Sequence, residues 1–215
     1  WKPDVCLMSL RKMLPVVDGA FAVWLNSRSV SGPESPTSLS ESASLRSAAM
    51  LLKASYLLYG QGDKNVYLSM YHQSESLVDE EYQQTRGMSA LSRSILEHVD
   101  FITARTSRRE NYLRLLEMLG NAEGVRPLFS VLPDDVYPLG FPVVADCRDE
   151  LRTYLAQNNT YCPVHWVLPD DIPADEFPES HGLSQRILTI PCDQRYTVSD
   201  MTAVGEAVAE FLESR

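Results

Sequence analysis

A lysine lies in a tight turn between two apolar runs near the start of the sequence. The turn begins with Ser9-Leu-Arg-Lys12, and the apolar runs are Val5–Met8 before it and Ala20–Leu25 after it. A turn at a strand end can hold an amine and remove part of its water; this desolvation and the neighbouring Arg11 both favour the neutral form. A neutral amine can attack a carbonyl carbon and form a Schiff base. The Ser9 hydroxyl could bind a phosphate on the same ligand. A solvated lysine in an ordinary turn has the same local pattern.

Composition limits the classes of function. The chain has 215 residues, of which 44% are hydrophobic, so it can bury a substantial core as one large domain or two small ones. Its net charge of −10, with scattered basic residues, argues against a nucleic-acid binder. No apolar run is long enough for a membrane span, and the four histidines show no metal-ligand spacing. We therefore expect no nucleic-acid, membrane or metal partner.

The cysteines and the first residue lead to expectations about the redox compartment and the extent of the protein. Four cysteines lie far apart without a CxxC pair, at Cys6, Cys147, Cys162 and Cys192. This pattern favours free thiols in the reducing cytoplasm, and two disulfides are the alternative. The chain begins with Trp1 and passes almost directly into an apolar strand. We interpret it as part of a longer protein; a missing initiator segment is the simpler alternative.

The first half of the chain is mostly helical after the opening strands. Asn26–Thr37 is rich in Ser, Gly and Pro and predicts a loop. Ser38-Leu-Ser-Glu41 fits a capping box for a helix that runs to about Gly60. Glu75–Gln84 is polar, and we expect it to be helical or irregular. Apolar residues then recur at helical spacing up to Leu119: Met88, Leu91, Ile95, Val99, Ile102, Tyr112, Leu115, Leu116 and Leu119.

The second half has alternating strand and helix signals. The predicted strands are 126–132, 137–145, 160–168 and 187–192, and the predicted helices are 149–157 and one beginning at 197–199. The order β-β-α-β-β-α predicts a small α/β domain. We therefore place the domain boundary between residues 124 and 125: 1–124 carries the lysine turn and the connecting helices, and 125–215 is the small C-terminal domain.

Several segments together carry a resemblance to a known family. They are Ser9–Lys12, Gly87–Arg93, Arg108–Tyr112, Tyr137–Pro142, Tyr161–Trp166 and Leu188–Tyr196. In this order they resemble the last part of fold-type I pyridoxal-phosphate enzymes, especially sugar aminotransferases of the DegT/DnrJ/EryC1/StrS group. The resemblance implies an α/β fold with a lysine-bearing strand hairpin, connecting helices and a small C-terminal domain.

The resemblance also implies a chemistry. Lys12 would be the catalytic residue and would bind pyridoxal 5′-phosphate, with Ser9 as a phosphate ligand. The substrates would be a small-molecule amino donor and a keto acceptor, such as a sugar nucleotide, and the intact protein would be a cytoplasmic homodimer. The family's ring-nitrogen acid, ring-stacking residue and phosphate turn lie upstream of the lysine. We therefore expect the C-terminal portion of an enzyme, which alone is inactive and binds the cofactor weakly or not at all.

Three further residues are candidate substrate ligands. By resemblance, His165 and Trp166 line the substrate entrance; the alternative is a packed edge-strand histidine with a half-buried indole. Arg195 could bind a substrate carboxylate or phosphate through two parallel hydrogen bonds. A structural ion pair with Asp193 or Asp200 would explain Arg195 equally well.

The same residues are compatible with other functions. Cys162 and His165 could suggest a thiol–imidazole pair, but residues three apart in a strand face opposite sides of the sheet. A relative of the fold without catalysis, serving dimerisation or binding, is one alternative to the aminotransferase. A pyridoxal-phosphate-dependent lyase or decarboxylase is another.

Overall fold

The computed structural model describes residues 3–26, 38–81 and 86–215. The chain divides into two compact units, Trp1–Val99 and Asp100–Arg215. Residues 27–37 of the predicted loop, and 82–84 at the end of the polar segment, lie outside the described residues. The α/β class predicted from the sequence is confirmed. Along the chain, the division between the units lies 25 residues before the domain boundary predicted after residue 124. That boundary stays a prediction about the intact protein.

The first unit begins with two antiparallel strands. β1, Val5–Ser9, pairs with β2, Ala20–Trp24, so that Ser9 lies opposite Ala20 and Val5 opposite Trp24. Side chains alternate between the two faces of a strand, yet both strands are apolar on both faces. Leu7 is 78% exposed and Val23 is 51% exposed. Such continuous apolar strands are typical of sheets that are covered on both sides.

The described residues of the first unit also form three helices. They are α1, Glu41–Tyr59, α2, Lys64–Glu81, and α3, Ala90–Glu97. α1 ends at Gly60 in a left-handed conformation, as the sequence predicts. Its start differs from the predicted capping box, because Ser40 rather than Ser38 is the N-cap and accepts a hydrogen bond from the amide of Ala43 at 3.2 Å. α1 and α2 pack through Tyr56 and Tyr67, whose ring centroids are 5.8 Å apart.

The second unit contains a three-stranded sheet and four helices. Its elements in chain order are α4, Phe101–Leu119, β3, Val125–Pro127, β4, Phe141–Ala145, α5, Arg148–Gln157, α6, Pro178–Arg186, β5, Ile187–Ile190, and α7, Val198–Glu213. The strand order is β3-β4-β5 and both pairs are antiparallel. One apolar core joins the sheet to α4, α5 and α7, and its largest fully buried side chains include Phe141, Leu115, Leu155 and Leu188.

One predicted strand of this unit is absent, the other three are shorter than predicted, and one helix was not predicted. Residues 160–168 have no regular strand, so the order is β-β-α-α-β-α rather than β-β-α-β-β-α. Pro163 cannot donate a backbone hydrogen bond, and its carbonyl accepts only one from β5, the amide of Thr189 at 3.0 Å. The short helix α6, with Pro178 at its first position, was not predicted.

The last helix starts as the sequence predicts. The Thr197 side chain accepts from the amide of Asp200, and the Asp200 carboxylate accepts from the amide of Thr197, which completes a capping box. These bonds hold the pKa of Asp200 below its ordinary value, because the amide and then the hydroxyl of Thr197 stabilise the ionised carboxylate.

We predict that Thr197→Ala loosens the first turn of α7. Loss of a Thr N-cap costs about 1 kcal/mol, which corresponds to roughly fivefold faster exchange of the amide hydrogens in that turn if they exchange by local opening. Hydrogen exchange followed by mass spectrometry of peptides across residues 197–203 measures this. Ser199→Ala, an exposed change in the same turn, is the control. Equal exchange in the two variants would contradict a stabilising capping box.

Candidate functional site

Lys12 ends a single turn of 3-10 helix, Leu10–Lys12, between β1 and β2. The amides of Met13 and Leu14 both donate to the carbonyl of Leu10, at 3.0 and 2.9 Å. A 3-10 helix has three residues per turn, so consecutive side chains leave it about 120° apart. Leu10, Arg11 and Lys12 therefore point in three different directions, and each direction has a different environment.

Leu10 takes the inward direction. It is almost fully buried and forms a small core with Leu14 and Val16. Partly buried side chains pack against this core: Met13, Met88, Ile95, Leu96 and Val99. The apolar stripe that predicts α3 thus covers the turn that carries Lys12.

Arg11 points towards the helices α1 and α2. Its Nη1 donates to Oε1 of Glu75 on α2 at 3.3 Å. Arg46 on α1 forms an ion pair with the same carboxylate oxygen. The pKa of Arg46 is lowered, first by burial and then by the charge of Arg11, while Tyr71 acts in the opposite direction. One carboxylate therefore joins the Lys12 turn to both helices.

A second polar contact holds the far end of the same loop. Oδ1 of Asp18 accepts from the amide and the hydroxyl of Ser89, at 3.2 and 2.9 Å. Oγ of the buried Ser92 accepts from the amides of Val17 and Asp18, each at 3.3 Å. Gly19 follows with φ of +97°, a left-handed conformation that favours glycine, and a Cβ there would also lie 2.6 Å from Cε of Met88.

Lys12 takes the remaining direction and is exposed, as is Ser9. This differs from the partly desolvated amine that the sequence predicts, because Leu10 occupies the inward direction. No hydrogen bond or ion pair holds the Lys12 amine among the described residues. Lys12 and, three residues earlier, Ser9 thus offer an accessible amine and an accessible hydroxyl, the groups that would hold the aldehyde and the phosphate of pyridoxal phosphate.

His165 and Trp166 lie in the second unit, beside β5. Nδ1 of the half-buried His165 is 3.0 Å from the Thr189 hydroxyl, and the Trp166 side chain is 70% exposed. Their ring centroids are 5.2 Å apart. This environment matches a histidine packed at a sheet edge, with an indole more exposed than the half-buried one expected. A role for either residue in the substrate entrance stays a prediction.

Arg195 lies in the turn after β5 and forms a bidentate ion pair. Its Nε and Nη2 donate to the two carboxylate oxygens of Asp193 at 2.7 and 2.8 Å. Burial alone would raise the pKa of Asp193, but the hydrogen bonds and charge of Arg195 outweigh it and hold the pKa below its ordinary value. The structural pairing with Asp193 is therefore present, and a substrate contact of Arg195 stays a prediction.

Buried polar side chains of α4 hold the loops around these residues. Nδ2 of Asn111 donates to the carbonyls of Cys192, Asp193 and Tyr196, at 3.4, 3.2 and 2.9 Å. Arg108 donates to the carbonyls of Pro138 and Leu139 at 2.9 and 3.1 Å and to the side chain of Gln194 at 2.6 Å. Segment 108–112 thus holds loops in place, and one of these loops, 137–142, also carries part of the family resemblance.

Two of the four cysteines are buried in the second unit. Burial raises the pKa of Cys162 and that of Cys192 to about 12, so both thiols are neutral near pH 7 and poor nucleophiles. All four cysteines are free.

The described residues contain no group of three or more His, Cys, Asp or Glu that could hold a metal. Within the same residues, no helix is long and apolar enough to cross a membrane.

The fold has counterparts among solved structures. A protein assigned as a sugar aminotransferase from Streptococcus pneumoniae matches in its PLP form with a TM-score of 0.52 and 12% identity, over 72% of this chain and 46% of that chain. Its PMP form matches with a TM-score of 0.51 and 11% identity, over 72% of this chain and 48% of that chain. A DegT/DnrJ/EryC1/StrS aminotransferase from Brucella abortus matches with a TM-score of 0.47 and 16% identity, over 69% of this chain and 44% of that chain.

The chain shares the fold of part of these aminotransferase structures. At this identity the match shows the fold alone, and it confirms the family resemblance at that level. The chain spans slightly less than half the length of the aminotransferase structures that it matches. No protein-family model and no curated protein sequence matches it.

Sequence reasoning missed the residues that hold the Lys12 loop. Glu75 appeared only within a polar segment, and Ser89 and Ser92 only within a segment of family resemblance. Glu75 lies 64 positions from Arg11, and Ser89 lies 71 positions from Asp18. The one local signal was the pair of serines three residues apart at the start of α3, where Ser89 is the N-cap.

We predict a graded reactivity of the cysteines towards iodoacetamide. Cys6 is exposed and should react in the folded 215-residue chain at about pH 8. Cys162 and Cys192 should react only after unfolding, because each thiol is buried and protonated. Mass spectrometry of the alkylated peptides measures the three rates. Alkylation of folded Cys162 as fast as Cys6 would revive the thiol–imidazole reading.

Proposed function

We propose that this chain is the C-terminal part of a pyridoxal-phosphate-dependent aminotransferase. The observation that carries the proposal is the placement of Lys12. Its amine is accessible and unpaired among the described residues, on a 3-10 turn anchored between two antiparallel strands. The aminotransferase fold of the chain supports the same assignment.

The apolar strand pair supports a larger intact protein. Both faces of β1 and β2 carry exposed apolar side chains, including Leu7, Met8, Phe21 and Val23. A two-stranded sheet with such faces is marginal in water, and further strands or helices normally cover it. In the proposed intact enzyme, the rest of the cofactor-binding domain covers these strands and surrounds Lys12.

The residues of this chain would then have distinct tasks. Lys12 would hold the cofactor covalently through its amine and, once released, would move the proton at the substrate Cα. Ser9 would donate a hydrogen bond to the cofactor phosphate. His165 and Trp166 would line the substrate entrance, and Arg195 would bind an anionic group of the substrate. When bound, pyridoxal phosphate supplies the aldehyde for attachment and a ring that withdraws electrons from the substrate carbon.

The substrates follow from the same assignment. The intact enzyme would take an amino group from a small-molecule donor and pass it to a small keto acceptor. The Streptococcus pneumoniae protein matched in both forms is assigned as a sugar aminotransferase, which supports a keto sugar, such as a sugar nucleotide, as the acceptor. We further propose a cytoplasmic homodimer, as the family resemblance implies.

We predict that Lys12 is the attachment residue in the full-length protein. Borohydride reduction with bound cofactor should label one peptide, with the phosphopyridoxyl group on Lys12. Lys12→Ala should abolish labelling and most of the turnover and leave the fold intact, since the side chain is exposed. Lys12→Arg should behave similarly, because a guanidinium stays charged and is a poor nucleophile.

The same chain offers a matched control. This sequence has four lysines, Lys2, Lys12, Lys53 and Lys64, so the labelled peptides are easily told apart. Lys64→Ala removes an exposed lysine at the start of α2 and should leave labelling and turnover unchanged. Wild-type labelling in Lys12→Ala would mean that another lysine holds the cofactor, and the proposal would lose its central residue.

A further prediction concerns Arg195. If Arg195 binds an anionic substrate, Arg195→Lys in the full-length protein should mainly raise KM, because losing a bidentate contact costs about 1.5–3 kcal/mol. Arg186→Lys is the control, since Arg186 is an exposed arginine of the same unit that contacts Asp146. Steady-state kinetics and thermal melting separate two outcomes. Lower stability with unchanged KM would leave the pairing with Asp193 as the role of Arg195.

A further inference from the structure

Glu75 connects the Lys12 turn to the helices that follow it. Its Oε1 accepts from Nη1 of Arg11, which is adjacent to Lys12, at 3.3 Å. Arg46 contacts the same oxygen from α1. Thus the carboxylate holds one guanidinium in the turn and one on a helix, and the two cations share a single anion.

The helix side of this network is fixed. The Arg46 side chain is 14% exposed, and its guanidinium carbon lies 5.7 Å from the centroid of the Tyr71 ring. A buried guanidinium needs a compensating charge close by, which Glu75 supplies. Arg46 cannot turn to solvent without leaving the packing between α1 and α2, so it holds Glu75 in place.

The turn side of the network is the part that can move. The Arg11 side chain is 21% exposed, more than that of Arg46. Without the carboxylate, the two guanidinium groups would repel each other, and Arg11 would move towards solvent. Since Arg11 and Lys12 are consecutive residues of one 3-10 turn, a shift of the turn backbone that moves Arg11 also moves Lys12.

We propose that Glu75 is a positioning residue for the Lys12 amine. It acts through Arg11 and does not itself touch the substrate or the cofactor. Leu10 fixes the turn by packing in the core, and Glu75 fixes it by binding Arg11. With these two side chains held, the direction in which the Lys12 side chain leaves the turn is also fixed. The inference rests on the proposed function, since it assumes that the Lys12 amine is the group to be aimed.

The experiment uses the full-length protein with Glu75→Gln, which keeps the shape of the side chain and removes its charge. A misplacement of about 1 Å can cost on the order of 100-fold, and we expect kcat and the rate of borohydride-trapped labelling of Lys12 by pyridoxal phosphate to fall about tenfold or more. KM for the amino donor should stay unchanged. Glu75→Asp, which keeps the charge, should recover part of the loss.

Two further variants make the test specific. Glu80→Gln removes another exposed carboxylate of α2 and should behave as wild type. Arg11→Gln breaks the contact from the turn side and leaves Glu75 and Arg46 paired, so it tests the inference even if Glu75→Gln fails to fold. The combined Arg11→Gln and Glu75→Gln variant should lose no more activity than the worse single variant, because both remove one interaction.

The outcomes separate this inference from the proposed function. If Lys12→Ala keeps its labelling, the proposed function is wrong. If Lys12→Ala loses labelling while folded Glu75→Gln and Arg11→Gln label and turn over as wild type does, only the positioning role is overturned. A fall in thermal stability with unchanged kcat and unchanged labelling would also overturn it, since Glu75 would then have a purely structural role.

Discussion

A buried polar group must find hydrogen-bond partners, and this constraint organises the loops of the chain. Ser92 on α3 accepts from two backbone amides of the Lys12 loop, and Asn111 on α4 donates to three backbone carbonyls after β5. In both cases a helix supplies the side chain and an irregular segment supplies the backbone groups. The helices thereby fix loops whose own sequences do not specify a regular structure, and these loops carry Lys12 and Arg195.

The same constraint explains which parts of the structure the sequence predicts. Local signals predict the end of α1 at Gly60 and the start of α7 at Thr197, because the partners of these caps lie within a few residues. The placement of Lys12 between two strands is local as well. Its anchors are not, since the contact between Arg11 and Glu75 spans 64 positions and has no signature in either segment alone. The family resemblance marked the segment containing Ser89 and Ser92 without giving their role.

The wrong strand at residues 160–168 shows a further limit. It is rich in the aromatic and β-branched residues that are typical of strands, but a strand also needs a partner with donors and acceptors in register. Pro163 provides an acceptor and no donor, and the segment forms a single backbone hydrogen bond with β5. Side-chain contacts fix it instead: His165 contacts Thr189, and the carbonyl of Trp166 accepts from the hydroxyl of Ser184 at 2.7 Å. Pattern alone does not distinguish these two ways of fixing a chain.

The candidate site residues Lys12 and Arg195 differ in whether a carboxylate of this chain already pairs with the side chain. Arg195 already has a compensating anion, since Asp193 takes two of its donor nitrogens. A substrate anion would have to compete with that carboxylate or use the remaining donors. Lys12 has no such competitor among the described residues, and its two neighbours in the turn are held by the core and by Glu75. An amine with fixed flanking residues and an open direction can accept a ligand without first losing a partner. This contrast makes Lys12, rather than Arg195, the residue on which the proposed function depends.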